Sequence, residues 1–463
     1  MLLFLLLAAP VLDRGPIITG VSRTDAYIAW ETNGSQSNAQ ISLGRSAGNY
    51  DLGQITDTGS GENHHVHLSG LQPGTTYHFA VDTDSAHQDS VFTTAPAGTG
   101  GSLKFVVYGD NRTNTSDHQS VADAVKAESG ISFLLHTGDM AQNYPWSQEW
   151  DTFFTVEHEL LRNSPLFPTI GNHETLDTLQ HWKEFFSPPG FQTTDSVNYY
   201  SADFGQVHLA VLDTFEGVAS GVEGTDNISD AQAMWLTADL DAAQAAGQVI
   251  FLSLHHGAWS HASGSSAHGG STLVQQKIVP IAVAHGVTAM FAGHDHIYER
   301  GCNSGVDYFV AGGGGAPLYD IGSGAGVLAI AKSLSYTVLS VDGHTVSGVT
   351  RAVPGGAVID SFTLPSSGCQ PAGGGNDGGP APDAGGGGDG GASADAGDNS
   401  DAGNADGGGG LADGGPGSDA GSTSDAGGDG TGVVTGGCQT TGGAALWLLA
   451  PAALLLLRRR ARV

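Results

Sequence analysis

Basic residues are scarce in this sequence. Its 463 residues hold only 16 Lys and Arg against 47 Asp and Glu, a formal net charge of -31. Such a chain offers no positive surface to neutralise a phosphate backbone, which excludes nucleic acid as a partner. From 371 to 436 the shortage is complete: Gly, Asp, Ala and Ser dominate, with no Lys or Arg. Such a tract buries too little apolar surface to offset its ordering entropy, so 370–436 is expected to be a disordered linker that carries much of the charge. Cysteine is almost absent as well. Cys438 belongs to the C-terminal tail, which leaves Cys302 and Cys369. An oxidising compartment would allow those two to pair, but sequence leaves the geometry open. Long hydrophobic runs are lacking too. Ala444 to Leu457 is apolar, yet shorter than the roughly 20 residues that a membrane-spanning helix needs.

The two ends still argue for export. Met1 to Pro10 is almost wholly apolar and includes Ala8-Ala9, which reads as the core of a signal peptide over 1–12, without its basic start. A buried strand is the alternative. At the other end, Arg458, Arg459, Arg460 and Arg462 follow the apolar run and would stay cytoplasmic. Gly436-Gly437-Cys438, the Gly/Asp linker and the Arg cluster together resemble the tripartite C-terminal sorting tails of myxobacterial surface proteins. That resemblance implies a processed tail over 437–463 and a protein at the cell surface, in the outer membrane or outside the cell. A simple membrane anchor is the alternative, and both readings place the body outside the cytoplasm.

Between the ends the pattern predicts two folded domains. Over 15–96, short alternating runs (Ala26–Trp30, Ala39–Leu43, Tyr77–Val81) are broken by Gly, Asn, Asp and Ser, as in an all-β sandwich with Trp30 in its core. Over 103–365, strand-like runs alternate with helix-like ones. Leu103–Tyr108, Phe133–His136, Val207–Leu212, Val249–Leu254 and Thr288–Ala292 read as strands, and Ser120–Glu128, Gln148–Arg162 and Asp230–Ala246 as helices. This is α/β (α+β) organisation, expected as two packed mixed sheets flanked by helices. The run Gly312–Gly315 reads as a tight turn, because no helix follows to make it a phosphate cradle.

Chemistry-bearing residues cluster after the predicted strands. In chain order they are Gly109-Asp110, Gly138-Asp139, Gly171-Asn172-His173-Glu174, His255-His256 and Gly293-His294-Asp295-His296. Open α/β sheets form their ligand sites at the carboxyl ends of strands. Carboxylates, imidazoles and one amide oxygen make a donor set suited to Zn, Fe or Mn, and glycines beside them let the backbone turn sharply. His64, His65, His67, His78, His118, His158, His181 and His208 lie off these motifs and read as surface or core. His136, three residues before Asp139, reads either as core or as a residue that orients a ligand. His261 reads as a residue at the mouth of the site. Trp146, Trp150 and Trp182 read as core.

This series, ending in Tyr298-Glu299-Arg300, resembles the calcineurin-like metallophosphoesterase superfamily. With the small domain in front, it is similar to purple acid phosphatases in particular. The small domain resembles a fibronectin type III domain, its Leu68–Tyr77 segment resembling a tyrosine corner, in which a Tyr hydroxyl reaches back to the backbone. The resemblance implies two metal ions bridged by Asp139. Asp110 and His296 would hold the first, and Asn172, His255 and His294 the second, with His256 the alternative to His255. It implies His173 or His268 as general acid and Arg112 as a phosphate-binding group, unless Arg112 serves only as a salt-bridge residue. Departures from the family's pattern are informative. Asp110 is followed by Asn111-Arg112, and the Tyr that ligates ferric iron in Gly-Asp-x-x-Tyr is replaced by Gln142. No tyrosinate chromophore is therefore expected.

The implied activity is hydrolysis of phosphate monoesters, acid phosphatase-like, by hydroxide generated between two ions. Small phosphorylated molecules are the implied substrates. Two alternatives stand beside it: a phosphodiesterase or nucleotidase with the same metal site, although no dedicated nucleotide-binding domain is visible, and a degenerate surface protein that only binds or adheres.

Overall fold

The computed structural model describes residues 10–57, 59–84, 88–98, 100–142, 146–176, 179–186, 198–218 and 226–369. The expected linker and tail (370–463) lie outside the described residues, as does nearly all of the expected signal peptide.

The N-terminal domain is a two-sheet β-sandwich. One sheet orders Leu12–Val21, Ala26–Ser37 and Ser60–Leu68, and the other Gly53–Thr56, Gln40–Gly44, Thr76–Val81 and Ser90–Thr93. Trp30, Phe79 and Phe92 fill the space between them and are essentially inaccessible. Tyr77 makes the corner, its hydroxyl accepting from Gln72 N at 2.8 Å. The sandwich docks on the second domain through Arg162, which is buried and donates to Ser90 Oγ at 3.1 Å and to the Gln88 carbonyl at 2.8 Å.

The second domain has two mixed sheets. The first orders Leu166–Pro168, Phe133–His136, Ser102–Tyr108, Leu334–Asp342, Thr345–Val353 and Val358–Leu364. The second orders Tyr200–Phe204, Val207–Val211, Val249–Ser253, Ala289–Ala292, Val306–Ala311, Tyr298–Asn303 and Val327–Ala331. Their central strands read as unbroken apolar runs because both faces are covered. Phe105 and Val107 point into the space between the sheets, while Val106 and Tyr108 point outwards under the helices. Phe105 meets Phe251 across the gap at 5.5 Å between ring centres, and Phe309 meets Phe362 at 5.0 Å. Each such side chain contributes about 1.5–3 kcal/mol by leaving water.

Helices Thr115–Lys126 and Trp146–Leu161 cover the first sheet, and Asp230–Ala245, Thr272–Lys277 and Val279–Ala284 cover the second. Trp150 and Trp182 are core residues. Cys302 and Cys369 form a disulfide with Cα atoms 5.7 Å apart.

Gly312–Gly315 is more than a turn. A Cβ on Gly312 would lie 2.2 Å from the Asp295 carbonyl, and one on Gly314 would lie 2.2 Å from the Gly109 carbonyl. These glycines let the segment run directly beneath two of the motif loops. That requirement comes from a contact distant in sequence, so the local pattern did not reveal it.

Candidate metal centre

Parallel pairing brings the motif loops together. Ser102–Tyr108, Phe133–His136 and Leu166–Pro168 run parallel in the first sheet, as do Val207–Val211, Val249–Ser253, Ala289–Ala292 and Val306–Ala311 in the second. Their carboxyl ends open on one edge of the domain, where the polar residues lie.

The loops turn sharply to get there. Asp110, Asp139 and His294 have φ of 57°, 58° and 73°, in the left-handed region that side chains seldom adopt. Each such residue costs on the order of 1 kcal/mol or more, and such strain collects at functional sites. Glu174 holds one loop in place. Its carboxylate accepts from Asp139 N at 2.9 Å, Met140 N at 2.8 Å, Ala141 N at 3.2 Å and Gly171 N at 2.7 Å. Burial, with Asp139 nearby, pushes Glu174 up to about 7. A Cβ on Gly171 would come within 2.2 Å of Asp139 Oδ1. His136 lies underneath, accepting from Gly138 N at 3.1 Å, and burial lowers it to about 3. His118, buried rather than on the surface, joins Asn111 and Glu157 in the same understructure.

Backbone carbonyls fix two imidazoles. His255 Nδ1 lies 2.7 Å from the Thr137 carbonyl and therefore donates to it. In the neutral ring the lone pair is then on Nε2, which faces Asn172 Oδ1 at 3.1 Å and Asp139 Oδ1 at 3.3 Å. Three acceptors meeting in a buried space need a cation among them, either a proton or a metal ion. Burial acts to lower His255, but Asp139 and Asp110 outweigh it and hold the ring up at about 9. Burial alone would raise Asp139, yet His255, His173 and Arg112 bring it well below the usual carboxylate range. His296 is fixed in the same way, with Nδ1 2.8 Å from the Pro317 carbonyl and Nε2 turned to Asp110 Oδ1 at 3.7 Å. Burial and then Arg112 lower it to about 4.

On the six candidate ligands, two buried atoms have no hydrogen-bond partner among the described residues: Asp110 Oδ2 and His294 Nε2. Ligand atoms of Asp110, Asp139 and His296 all lie within 4.8 Å of one another. The donor set therefore fits metal ions, with Asp139 reaching both the Asp110–His296 side and the Asn172–His255–His294 side.

His255 faces the cluster. The neighbouring His256 instead pairs with Asp226 at 2.5 Å and with the Gly269 carbonyl at 3.0 Å. His173 donates its backbone N–H to Asp139 Oδ1 at 3.1 Å, and its Nε2 stands 3.9 Å from Asp139 Oδ2. His268 is exposed, with its ring 4.0 Å from that of His294. Arg112 donates through Nε to Asp139 Oδ2 at 2.8 Å and through Nη1 to Gln142 Oε1 at 2.5 Å. His261 is tied to Glu299 at 2.7 Å, and Tyr298 and Arg300 bond to Asp360, so this motif braces the sheet behind the site.

Sequence reasoning missed three contributors. Glu174 stood inside a motif without a role. Asp295 stands between the two histidines and accepts from His268 N at 2.8 Å and Gly269 N at 3.0 Å, holding the His268 loop over the site. Tyr319 stacks on His296 with ring centres 4.2 Å apart, and nothing in its local sequence signals that.

Residues 103–298 match the family model for calcineurin-like phosphoesterases, and residues 17–95 match that of the purple acid phosphatase N-terminal domain. Among curated proteins, the chain is 27% identical over 288 residues to purple acid phosphatase 18 of Arabidopsis thaliana, covering 59% of this chain and 62% of that one. It is 23% identical over 305 residues to a purple acid phosphatase of Glycine max, covering 63% and 61%. The chain thus spans about three fifths of the length of these relatives. Among solved structures, purple acid phosphatase PPD1 from yellow lupin (Lupinus luteus) seeds is similar in fold, with a TM-score of 0.57 at 17% identity over 77% of this chain and 74% of that one. The structure of PhoD also gives 0.57, at 12% identity over 75% and 89%.

Proposed function

Since residues 103–298 are a calcineurin-like phosphoesterase domain behind a purple acid phosphatase N-terminal domain, we propose that the protein is an exported or surface-held two-metal phosphatase acting on small phosphate monoesters. The observation that carries this reading is the convergence of Asp110, Asp139, Asn172, His255, His294 and His296 around buried lone pairs, two of which have no protein donor among the described residues.

When bound, metal ions would neutralise charge on the phosphoryl oxygens and acidify a water molecule. The chain's residues do the rest. Asp139 lies between the two ligand groups and keeps them in register. The Thr137 and Pro317 carbonyls hold His255 and His296 with the ligating nitrogen inwards. His173, buried beside Asp139, and His268, exposed next to His294, are the two groups we assign to give a proton to the leaving oxygen. Arg112 offers a planar fork that matches phosphate.

The test is hydrolysis of a chromogenic phosphate monoester by purified protein, with metals counted by elemental analysis. We expect activity that follows metal content, at up to two equivalents of Fe, Zn or Mn per chain. Metal-loaded protein that leaves the monoester intact would overturn the reading. With Gln142 at the chromophoric Tyr position, the iron-loaded protein should also lack an intense visible band, and visible absorption checks this.

A further inference from the structure

The two sides of the candidate centre differ in what already holds them. On the Asn172–His255–His294 side, no Lys or Arg of the described residues is hydrogen-bonded to the ligand atoms, and His294 Nε2 has no partner among those residues. On the Asp110–His296 side, a cation of the chain itself is present. Arg112 Nε donates to Asp139 Oδ2 at 2.8 Å, and Nη2 lies 3.2 Å from His296 Nε2. Since His296 Nδ1 is turned to the Pro317 carbonyl, the Nε2 lone pair is what the guanidinium meets. Nη1 is anchored on Gln142 Oε1, which also accepts from Thr113 Oγ1 at 2.6 Å. One side chain thus takes two of the atoms that a metal on this side would need.

We propose that Arg112 is a displaceable internal cation that competes with the first metal for Asp139 Oδ2 and His296 Nε2. The two positions then load unequally, and phosphate favours full loading by drawing the guanidinium away. This rests on the two-metal reading. A guanidinium and a metal ion cannot share these atoms, because like charges about 4 Å apart repel strongly where water is scarce. The Arg112 side chain is only 11% exposed, so it leaves Asp139 readily only for another anion, and phosphate matches its fork as a carboxylate does. Linkage makes the effect reciprocal: if phosphate raises metal affinity by some factor, metal raises phosphate affinity by the same factor.

The experiment is calorimetric titration of chelator-stripped, full-length protein with Mn²⁺, with and without inorganic phosphate, on the native chain, Arg112→Met and Gln142→Leu. We expect one tight equivalent and a second at least about tenfold weaker in the native protein, since a charge-assisted hydrogen bond must be broken to admit it. In Arg112→Met the second equivalent should tighten by about tenfold or more, and phosphate should add less than it does in the native protein. Gln142→Leu separates competition from simple charge. It leaves the charge unchanged and removes only the anchor of the fork, so competition predicts tightening by at least about threefold. It also carries the test should Arg112→Met fail to fold. A second affinity that neither variant tightens overturns the proposal. If the native protein then still binds two equivalents, the two-metal reading survives. If native protein and variants all stop at one equivalent, both fall.

Discussion

In the sandwich, His64 is fully buried between Thr32 and Asp57, with Nε2 3.0 Å from Thr32 Oγ1 and Nδ1 3.0 Å from Asp57 Oδ2. In the phosphoesterase domain, His294 is just as inaccessible, yet its Nε2 meets no hydrogen-bond partner among the described residues, and neither does Asp110 Oδ2. Both regions bury imidazole close to carboxylate. The difference teaches that a buried His–Asp neighbourhood is not itself a site. A site is marked by unsatisfied lone pairs that converge with other ligand-type atoms, as at Asp110, Asp139 and His296, whose ligand atoms lie within 4.8 Å of one another, because each buried polar atom left unsatisfied costs about 1–3 kcal/mol.

Breaking the unsatisfied region should have the largest effect. Asp139→Ala removes the carboxylate that reaches both ligand groups, so the proposed phosphatase activity should fall by about 10³-fold or more and metal content should drop with it. Retention of both in the purified variant would mean that Asp139 bridges nothing. Next comes a pair of neighbours. His255→Ala should cost on the order of 10²-fold in kcat/KM, whereas His256→Ala, whose ring is satisfied by Asp226 and the Gly269 carbonyl, should cost less than about tenfold. Equal losses would mean that the two rings do not differ in role.

Glu174→Gln sharpens the comparison from beneath. Gln keeps one oxygen for the backbone N–H groups of the Asp139 loop but turns a donor towards the others. Metal affinity should fall about 10–100-fold while the fold persists, as metal titration with circular dichroism would show. An unchanged affinity would reduce Glu174 to scaffolding.

The smallest effect lies in a finished cluster. His208 sits between Asp203 Oδ1 at 2.8 Å and Asp239 Oδ2 at 2.9 Å. Burial acts to lower it, but the two carboxylates raise it from 6.5 to about 9. Its folded value exceeds its unfolded one, so its stabilisation is full below about pH 6.5 and is lost as pH rises through about 9. Because Asp203 is half exposed, the contribution should be about 1–2 kcal/mol. Chemical denaturation of native protein and His208→Gln at pH 6 and pH 9.5 would check it. A gap between the two proteins that does not narrow at the higher pH would contradict this assignment.

Much of the fold was legible because its strands are unbroken apolar runs and its ligand candidates stand where those runs end. Leu103–Tyr108 and Val249–Leu254 were readable within a residue of their observed ends. Tyr200–Phe204 and Val327–Ala331 were not, since their pattern becomes meaningful only beside partners far away in sequence. The same limit governs the site. Asp110, Asp139 and the His294–His296 pair announced themselves by glycine and strand context. Glu174 and Asp295 act through backbone N–H groups of other loops, and Tyr319 through stacking, so only the assembled structure gives them a role.

The bridge between Cys302 and Cys369 closes a covalent loop around everything between them, a sequence separation of 67. Six strands lie inside that loop, Val306–Ala311, Asp320–Ile321, Val327–Ala331, Leu334–Asp342, Thr345–Val353 and Val358–Leu364. Tension applied to the chain beyond Cys369 would therefore pass through sulfur into Tyr298–Asn303, in the interior of the seven-stranded sheet, and bypass the edge strand Val358–Leu364. Under reducing conditions the same pull would peel that edge strand first, so the mechanical strength of the domain should depend on the redox state of one bond.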